Sequence, residues 1–139
     1  MKDVLTLSKD RLAWLAEETV VAAGRRDSGE PAAKILCERL TAGHDLFTVD
    51  QWKLLQERVG EASAWLQDDV LPAFFDLLDL QDEAAGDEEL MDRFDPFMGE
   101  GGELLLFLAV LKRALGQHGI RLEAEQTAIP ERPPLPDEE

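Results

Sequence analysis

The longest apolar run in this chain is eight residues, Leu104 to Leu111, and Lys112 and Arg113 follow it directly. A helix that crosses a bilayer needs about 20 apolar residues, so this run is too short to span a membrane. A segment that is apolar on nearly every side is typical of a helix that other helices surround. We therefore predict a helix over residues 102–118 at the centre of a bundle, ended by a left-handed Gly119.

Two capping signals divide the first half of the chain into helices. Ser8 and Thr48 each lie between two apolar residues that can pack as a hydrophobic staple, and Gln51 completes a capping box with Thr48. These signals predict a first helix from Ser8 to about Ala23 and a third helix that begins at Thr48. A second helix is expected over residues 30–42, between two glycine-containing turns.

A single apolar stripe continues along the third helix. Its members recur at helical spacing and are Trp52, Leu55, Val59, Ala62 and Leu66. Pro72 has no N–H to donate to the preceding turn, so we predict a break or kink near Asp68-Asp69 and a fourth helix to about Leu80. Asp87 is expected to cap a short fifth helix that ends near Pro96.

The remaining segments complete the predicted architecture. Residues 120–124 alternate apolar and polar side chains, which favours a strand that pairs with Val4–Leu7 as a minor two-stranded ribbon. A shift of forty residues aligns Ser8 with Thr48 and predicts two pseudo-repeated helical hairpins, although unrelated capping signals would align equally well. We predict an all-α fold, a compact bundle of about five to six helices around a central apolar helix. Residues 1–125 form a single helical domain, and 126–139 are a Pro-rich, acidic, disordered tail.

The negative charge of the chain is concentrated in its middle third. The whole sequence has a formal charge of −16, and residues 61–103 hold fourteen acids against one base, Arg93, a net of −13. Such a field opposes direct binding to the phosphates of nucleic acids. The concentration predicts one acidic face; the alternative is a solvated surface that only aids solubility.

Within that region, residues 87–98 combine large apolar side chains with carboxylates. The candidate partner-binding residues are Asp87, Glu88, Glu89, Leu90, Met91, Asp92, Phe94, Asp95, Phe97 and Met98. Methionine and phenylalanine inside an acidic frame are typical of a face that docks on a basic partner with an apolar groove. The alternative is that this stripe packs on its own bundle, because an exposed patch of that size is costly.

The sequence offers little that catalysis or metal binding requires. Cys37 falls on the apolar side of the second helix, where a thiol acts as a small hydrophobe. His44 and His118 lie beside helix-ending glycines, where an imidazole stabilises the helix terminus. No helical histidine–glutamate metal motif occurs, and the carboxylates from Asp76 to Glu83 lack the spacing of a calcium loop. We therefore assign no catalytic, cofactor-binding or metal-ligating residue and no cofactor, and the sequence favours a non-enzymatic role.

These observations leave several functions to compare. The leading hypothesis is a small acidic protein–protein interaction module, an adaptor, inhibitor or chaperone-like protein that binds a basic protein surface. One alternative is a nucleic-acid mimic that blocks a DNA-binding protein, and another is a small helical-bundle metal-dependent enzyme. A homodimer is compatible with each. The single cysteine and the charged Met1-Lys2-Asp3 start predict a cytoplasmic protein without membrane association.

Overall fold

The computed structural model describes residues 3–25, 32–41 and 46–135. Its regular elements in chain order are β1 (Val4–Leu7), α1 (Lys9–Arg25), α2 (Ala32–Thr41), α3 (Val49–Val59), α4 (Ala62–Trp65), a π turn (Leu66–Val70), α5 (Leu71–Glu83), α6 (Glu88–Phe94), α7 (Gly102–Gly116) and β2 (Arg121–Ala124). Short 3-10 turns follow α5 and α6. Because α4, the π turn and α5 are continuous, the described residues form six helices and one small sheet, which confirms the predicted fold class.

The apolar helix α7 lies at the centre of the bundle, as predicted. Every residue from Leu106 to Leu111 is buried, and α7 packs against α1, α5 and β2. The ring of Phe107 meets that of Phe74 on α5 edge to face, with centroids 5.4 Å apart. The helix ends in the expected Schellman motif, since Gly119 has φ of 75° and the Ile120 N–H donates to the Leu115 carbonyl at 3.0 Å.

Both predicted N-caps are present. The Thr48 hydroxyl accepts from the Gln51 N–H at 3.2 Å, and the Gln51 side chain accepts from the Thr48 N–H at 3.0 Å. The Ser8 hydroxyl accepts from the Arg11 N–H at 3.3 Å. The helices that follow differ, since α1 has 17 residues and α3 has 11. The two copies of the proposed repeat therefore share their cap and not their length.

The third helix ends earlier than predicted, whereas at the predicted break or kink a π turn interrupts the regular helix. The break falls at Gly60, which has φ of 86°, and the next helix then runs from Ala62 through Pro72. Glycine adopts this left-handed backbone without steric cost. Pro72 is accommodated at the beginning of α5 by the π turn, in which the Leu71 N–H donates to the Leu66 carbonyl five residues earlier.

The predicted ribbon is confirmed, and its strands are parallel. Leu5 stands opposite Leu122 in the register of β1 and β2, and both residues are buried. The ladder is extended at each end, where the Arg121 N–H donates to the Asp3 carbonyl and the Glu125 N–H to that of Leu7, each at 2.9 Å. Burial of this sheet against the helices supplies the packing that two strands need for stability.

Residues 128–135 form neither helix nor strand, but they pack on the bundle. The Lys112 ammonium donates to the Ile129 carbonyl at 3.3 Å, Pro133 is buried, and Leu135 packs against the core. The Pro-rich composition did not predict this packing. The predicted turn after α1 and the position of His44 lie outside the described residues.

Candidate functional site

Residues 87–98, here called the acidic segment, begin with a helix cap. One carboxylate oxygen of Asp87 accepts from the backbone N–H groups of Glu89 and Leu90, at 3.0 and 3.3 Å. A carboxylate at this position also interacts favourably with the positive end of the helix dipole. The predicted cap is therefore confirmed, and Asp87 has a structural role.

The aromatic residues of the acidic segment belong to the core. Phe94 is 0% exposed and Phe97 is 2% exposed, while Leu90 is half-buried against the same core. The prediction that Phe94 and Phe97 contact a partner is therefore corrected, whereas for the half-buried Leu90 it stays a prediction. The 3-10 turn at Asp95–Phe97 brings Phe97 back onto the bundle, so the stripe largely packs on its own protein.

Two methionines of the acidic segment remain in contact with solvent. Met91 is 38% exposed and Met98 is 45% exposed. The surrounding carboxylates are exposed as well, and they are Asp87, Glu88, Glu89, Asp92 and Asp95. Glu89 forms an exposed i,i+4 ion pair with Arg93 at 3.3 Å. The surface of the segment is thus two adaptable thioethers within a frame of negative charge.

A close backbone approach fixes the position of the acidic segment relative to α7. A Cβ atom placed on Gly102 would lie 1.9 Å from the Phe97 carbonyl oxygen, closer than any real contact, so only glycine fits. From the other side, the Gln81 side-chain amide donates to the Phe97 carbonyl at 3.3 Å and lies 3.2 Å from the Met98 sulfur. The segment is therefore held by packing at its two phenylalanines and by contacts with α5 and α7.

The other residues considered for chemistry have structural surroundings. Cys37 is 2% exposed and donates from its thiol to the Ser63 carbonyl at 3.3 Å, and burial raises its pKa above the usual value. The His118 ring meets Trp65 edge to face at 6.0 Å. Within the described ranges, no group of three or more His, Cys, Asp or Glu side chains could hold a metal ion. All fourteen acids of residues 61–103 are at least partly exposed.

The structure adds a cleft that sequence reasoning missed, here called the α5–α7 cleft. It lies between the π turn and the C-terminal half of α7, it is bordered by Arg132 and Leu135, and its volume is about 520 Å³. Charged side chains of both signs line it, namely Asp68, Asp69, Arg113 and Arg132, and the ring of His118 lines it as well. The lining residues come from three separate stretches of the sequence, 65–73, 110–118 and 132–135, so no local motif could identify the cleft.

The chain is thus a helical bundle with a minor parallel sheet, an acidic surface segment and a cleft of mixed charge. No protein-family model, curated protein or solved structure matches it. Among the described helices, none combines the length and the apolar character that crossing a bilayer requires.

Proposed function

We propose that this protein is a small interaction module whose acidic segment binds a basic protein surface. The observation that carries the proposal is the exposure of Met91 and Met98, 38% and 45%, on a segment anchored by buried Phe94 and Phe97. An anchored segment presents its surface without a large ordering cost when a partner binds. Methionine is common at adaptable binding surfaces because its side chain is flexible and polarisable.

The charge of the segment supports a basic partner. Exposed carboxylates surround the two methionines, and the whole chain has a net charge of −16. A field of one sign accelerates association with a protein of opposite charge and disfavours other acidic proteins. The composition, with a single cysteine, also supports a reducing, cytoplasmic setting for this encounter.

The test compares two variants that lose the same number of negative charges at different positions. The variant Glu88→Gln/Asp92→Asn removes two exposed acids from the segment, and Asp10→Asn/Glu17→Gln removes two exposed acids from α1. Immobilised wild-type protein and both variants would be incubated with extract of the source organism at low and high salt. The proteins retained would be identified by mass spectrometry, and their affinities measured after purification.

We expect a basic protein that wild type and the α1 variant retain at low salt and that the segment variant loses. High salt should weaken the complex, because it screens exposed charges. Equal retention by all three proteins would contradict the proposal. If DNA competes with this chain for the retained partner, the carboxylates act as a nucleic-acid mimic, which is the alternative form of the same charge-based function.

A further inference from the structure

The main-chain groups of β1 point alternately to the two sides of the strand. The Asp3 and Leu7 carbonyls each accept a hydrogen bond from the β2 side of the sheet at 2.9 Å. In a parallel pair, every second residue of a strand bonds to its neighbour, and the residues between them direct their N–H and C=O groups to the opposite edge. The N–H and C=O groups of Val4 and Thr6 therefore point away from β2. This side of the strand is here called the β1 edge.

The main-chain groups at the β1 edge are unpaired in the part of the chain that the structure describes. The sheet contains no further described strand beside β1, and no hydrogen bond joins the N–H or C=O groups of Val4 and Thr6 to another described residue. The outer edge of β2 differs, because the Thr127 N–H donates to the Ala124 carbonyl at 3.4 Å and folds the chain over that strand. Unpaired ladder groups are a template for the addition of a strand.

The side chains of β1 leave this edge open to another strand. Natural edge strands are often protected by lysine, proline, inward-pointing charge or a bulge, and Val4–Leu7 contains none of these. Leu5 and Leu7 are buried against the helices, whereas Thr6 is exposed. The strand is thus fixed by its buried face while its outer main-chain groups lie beside an exposed side chain.

The sequence of β1 is complementary to a second copy of itself. In an antiparallel pair with a two-fold axis at Leu5, Val4 of one copy stands opposite Thr6 of the other. Each Val4–Thr6 pair then exchanges two main-chain hydrogen bonds, because both residues direct their N–H and C=O groups to this edge. The side chains that meet are β-branched and pack well in a sheet, and no like charges oppose each other.

The charges around the sheet also favour a second copy. The whole chain has a net charge of −16, but Asp3 is ion-paired with Arg58, and Arg121 and Glu123 of β2 pair with each other at 3.1 Å. The two strands are therefore electrically balanced. Two copies can approach at this edge with less repulsion than through their acidic segments.

We propose that the β1 edges of two copies pair antiparallel and form a homodimer. The result is a continuous four-stranded sheet in the order β2–β1–β1–β2, in which four main-chain hydrogen bonds, two in each Val4–Thr6 pair, join the copies. This interface does not include the acidic segment. Each dimer therefore presents two acidic segments to a partner.

Sedimentation equilibrium of the intact chain over a range of concentrations tests the association. We expect a reversible monomer–dimer equilibrium that tightens at high salt, because salt screens the repulsion between two chains of charge −16. Binding of a basic partner has the opposite salt dependence, so this proposal and the proposed function can fail independently. A chain that stays monomeric at millimolar concentration in high salt would overturn the proposal and leave the edge to a strand of another protein.

Two variants at Thr6 test the register. Thr6→Pro removes the outward N–H without affecting a hydrogen bond to β2, and proline is tolerated where the N–H of an edge strand faces solvent. It removes half of the intermolecular hydrogen bonds and should weaken dimerisation at least about tenfold. Thr6→Val retains the N–H and the branched side chain and should dimerise like wild type. Far-ultraviolet circular dichroism verifies that both variants are folded, and equal dimerisation of folded Thr6→Pro would overturn the proposal.

Amide hydrogen exchange of the wild-type chain locates the interface without any variant. The amide protons of Val4 and Thr6 should exchange slowly at concentrations where the dimer predominates and rapidly after dilution to the monomer. The Arg121 and Glu125 amides, which donate to β1, should be protected at both concentrations. Dimerisation without this concentration-dependent protection of Val4 and Thr6 would place the interface elsewhere and overturn the proposal.

Discussion

The two ends of α7 support two different kinds of surface. At its N-terminal end, Gly102 lies against the Phe97 backbone and fixes a segment whose exposed charges are almost all negative. At its C-terminal end, Arg113 lines the α5–α7 cleft together with Asp68 and Asp69. One apolar helix thus positions an exposed acidic surface at one end and a cleft lined by charges of both signs at the other.

This difference separates two ways of using charge. Carboxylates spread over an exposed surface act at long range, are screened by salt and select a partner by sign. Opposite charges on the two walls of a cleft act at short range, where they distinguish ligands by the position of single groups. The following experiments challenge this comparison, beginning with the largest expected effect.

Truncation of a buried residue of the acidic segment should lower the stability of the protein, whereas truncation of an exposed residue should weaken partner binding. Phe94→Ala removes a side chain that is 0% exposed and should lower the free energy of unfolding by about 3–5 kcal/mol. Met91→Ala, at a residue 38% exposed, should change that free energy by less than about 0.5 kcal/mol and weaken partner binding instead. Urea denaturation measures both stabilities. Equal destabilisation would show that Met91 belongs to the core and would remove the basis of the docking surface.

The glycines at the two ends of α7 provide a matched pair. Gly102→Ala places a methyl group against the Phe97 carbonyl and should cost about 1–3 kcal/mol of stability. A Cβ on Gly116 meets nothing within 4 Å, so Gly116→Ala should be neutral or slightly stabilising. Thermal denaturation of the two variants checks this. If Gly102→Ala were as stable as wild type, the proposed rigid support of the acidic segment would be wrong.

The cap and the charge of Asp87 can be separated. Asp87→Ala removes a side chain that accepts from two N–H groups and should destabilise the protein by about 1 kcal/mol. Asp87→Ser retains a capping oxygen and should restore most of that stability while one negative charge is still absent. Chemical denaturation reports the cap, and the salt dependence of partner binding reports the charge. Identical stability of the two variants would contradict the capping role.

The smallest expected change in the free energy of unfolding comes from raising the pH, and it acts through the buried thiol of Cys37. Burial raises the pKa of this thiol, and the nearby carboxylates of Glu38 and Asp68 contribute in the same direction. Because the folded state favours the neutral thiol, this contribution to stability is complete below the unfolded pKa of about 8.5 and is lost as the pH rises through the folded pKa. Urea unfolding at neutral and alkaline pH should therefore show a decline that Cys37→Ala lacks. The same decline in both proteins would assign it to other groups.

Local signals in the sequence predicted local features of this structure well. The caps at Ser8, Thr48 and Asp87, the Schellman motif at Gly119 and the strand after it each depend on a few neighbouring residues. The hydrogen bonds of the caps and of the Schellman motif join residues that are close in sequence, so residue type and spacing are sufficient to identify them. The strand was identified by its alternating pattern, although its hydrogen bonds go to β1, more than a hundred positions away.

Features that depend on packing were not predictable in the same way. Helical periodicity identified Leu90, Phe94 and Phe97 as a stripe flanked by Met91 and Met98, but it did not decide whether that stripe packs on its own bundle or on a partner. In the structure both phenylalanines are buried and both methionines are exposed. The strength of Gly60 as a helix breaker was underestimated because the apolar stripe continues past it. The α5–α7 cleft is a tertiary feature, and the distance in sequence between its walls hides it from any pattern search.

The parallel pairing of β1 with β2 also affects how the molecule assembles. Val4 belongs to a sheet whose other strand begins at Arg121, so nearly the whole described chain lies between the two partners. β1 therefore remains an unpaired edge until β2, more than a hundred positions further along the chain, is available to pair with it. Because closing so long a loop is entropically costly, we expect this pairing to form late in folding, and until then β1 is an edge open to pairing with other strands.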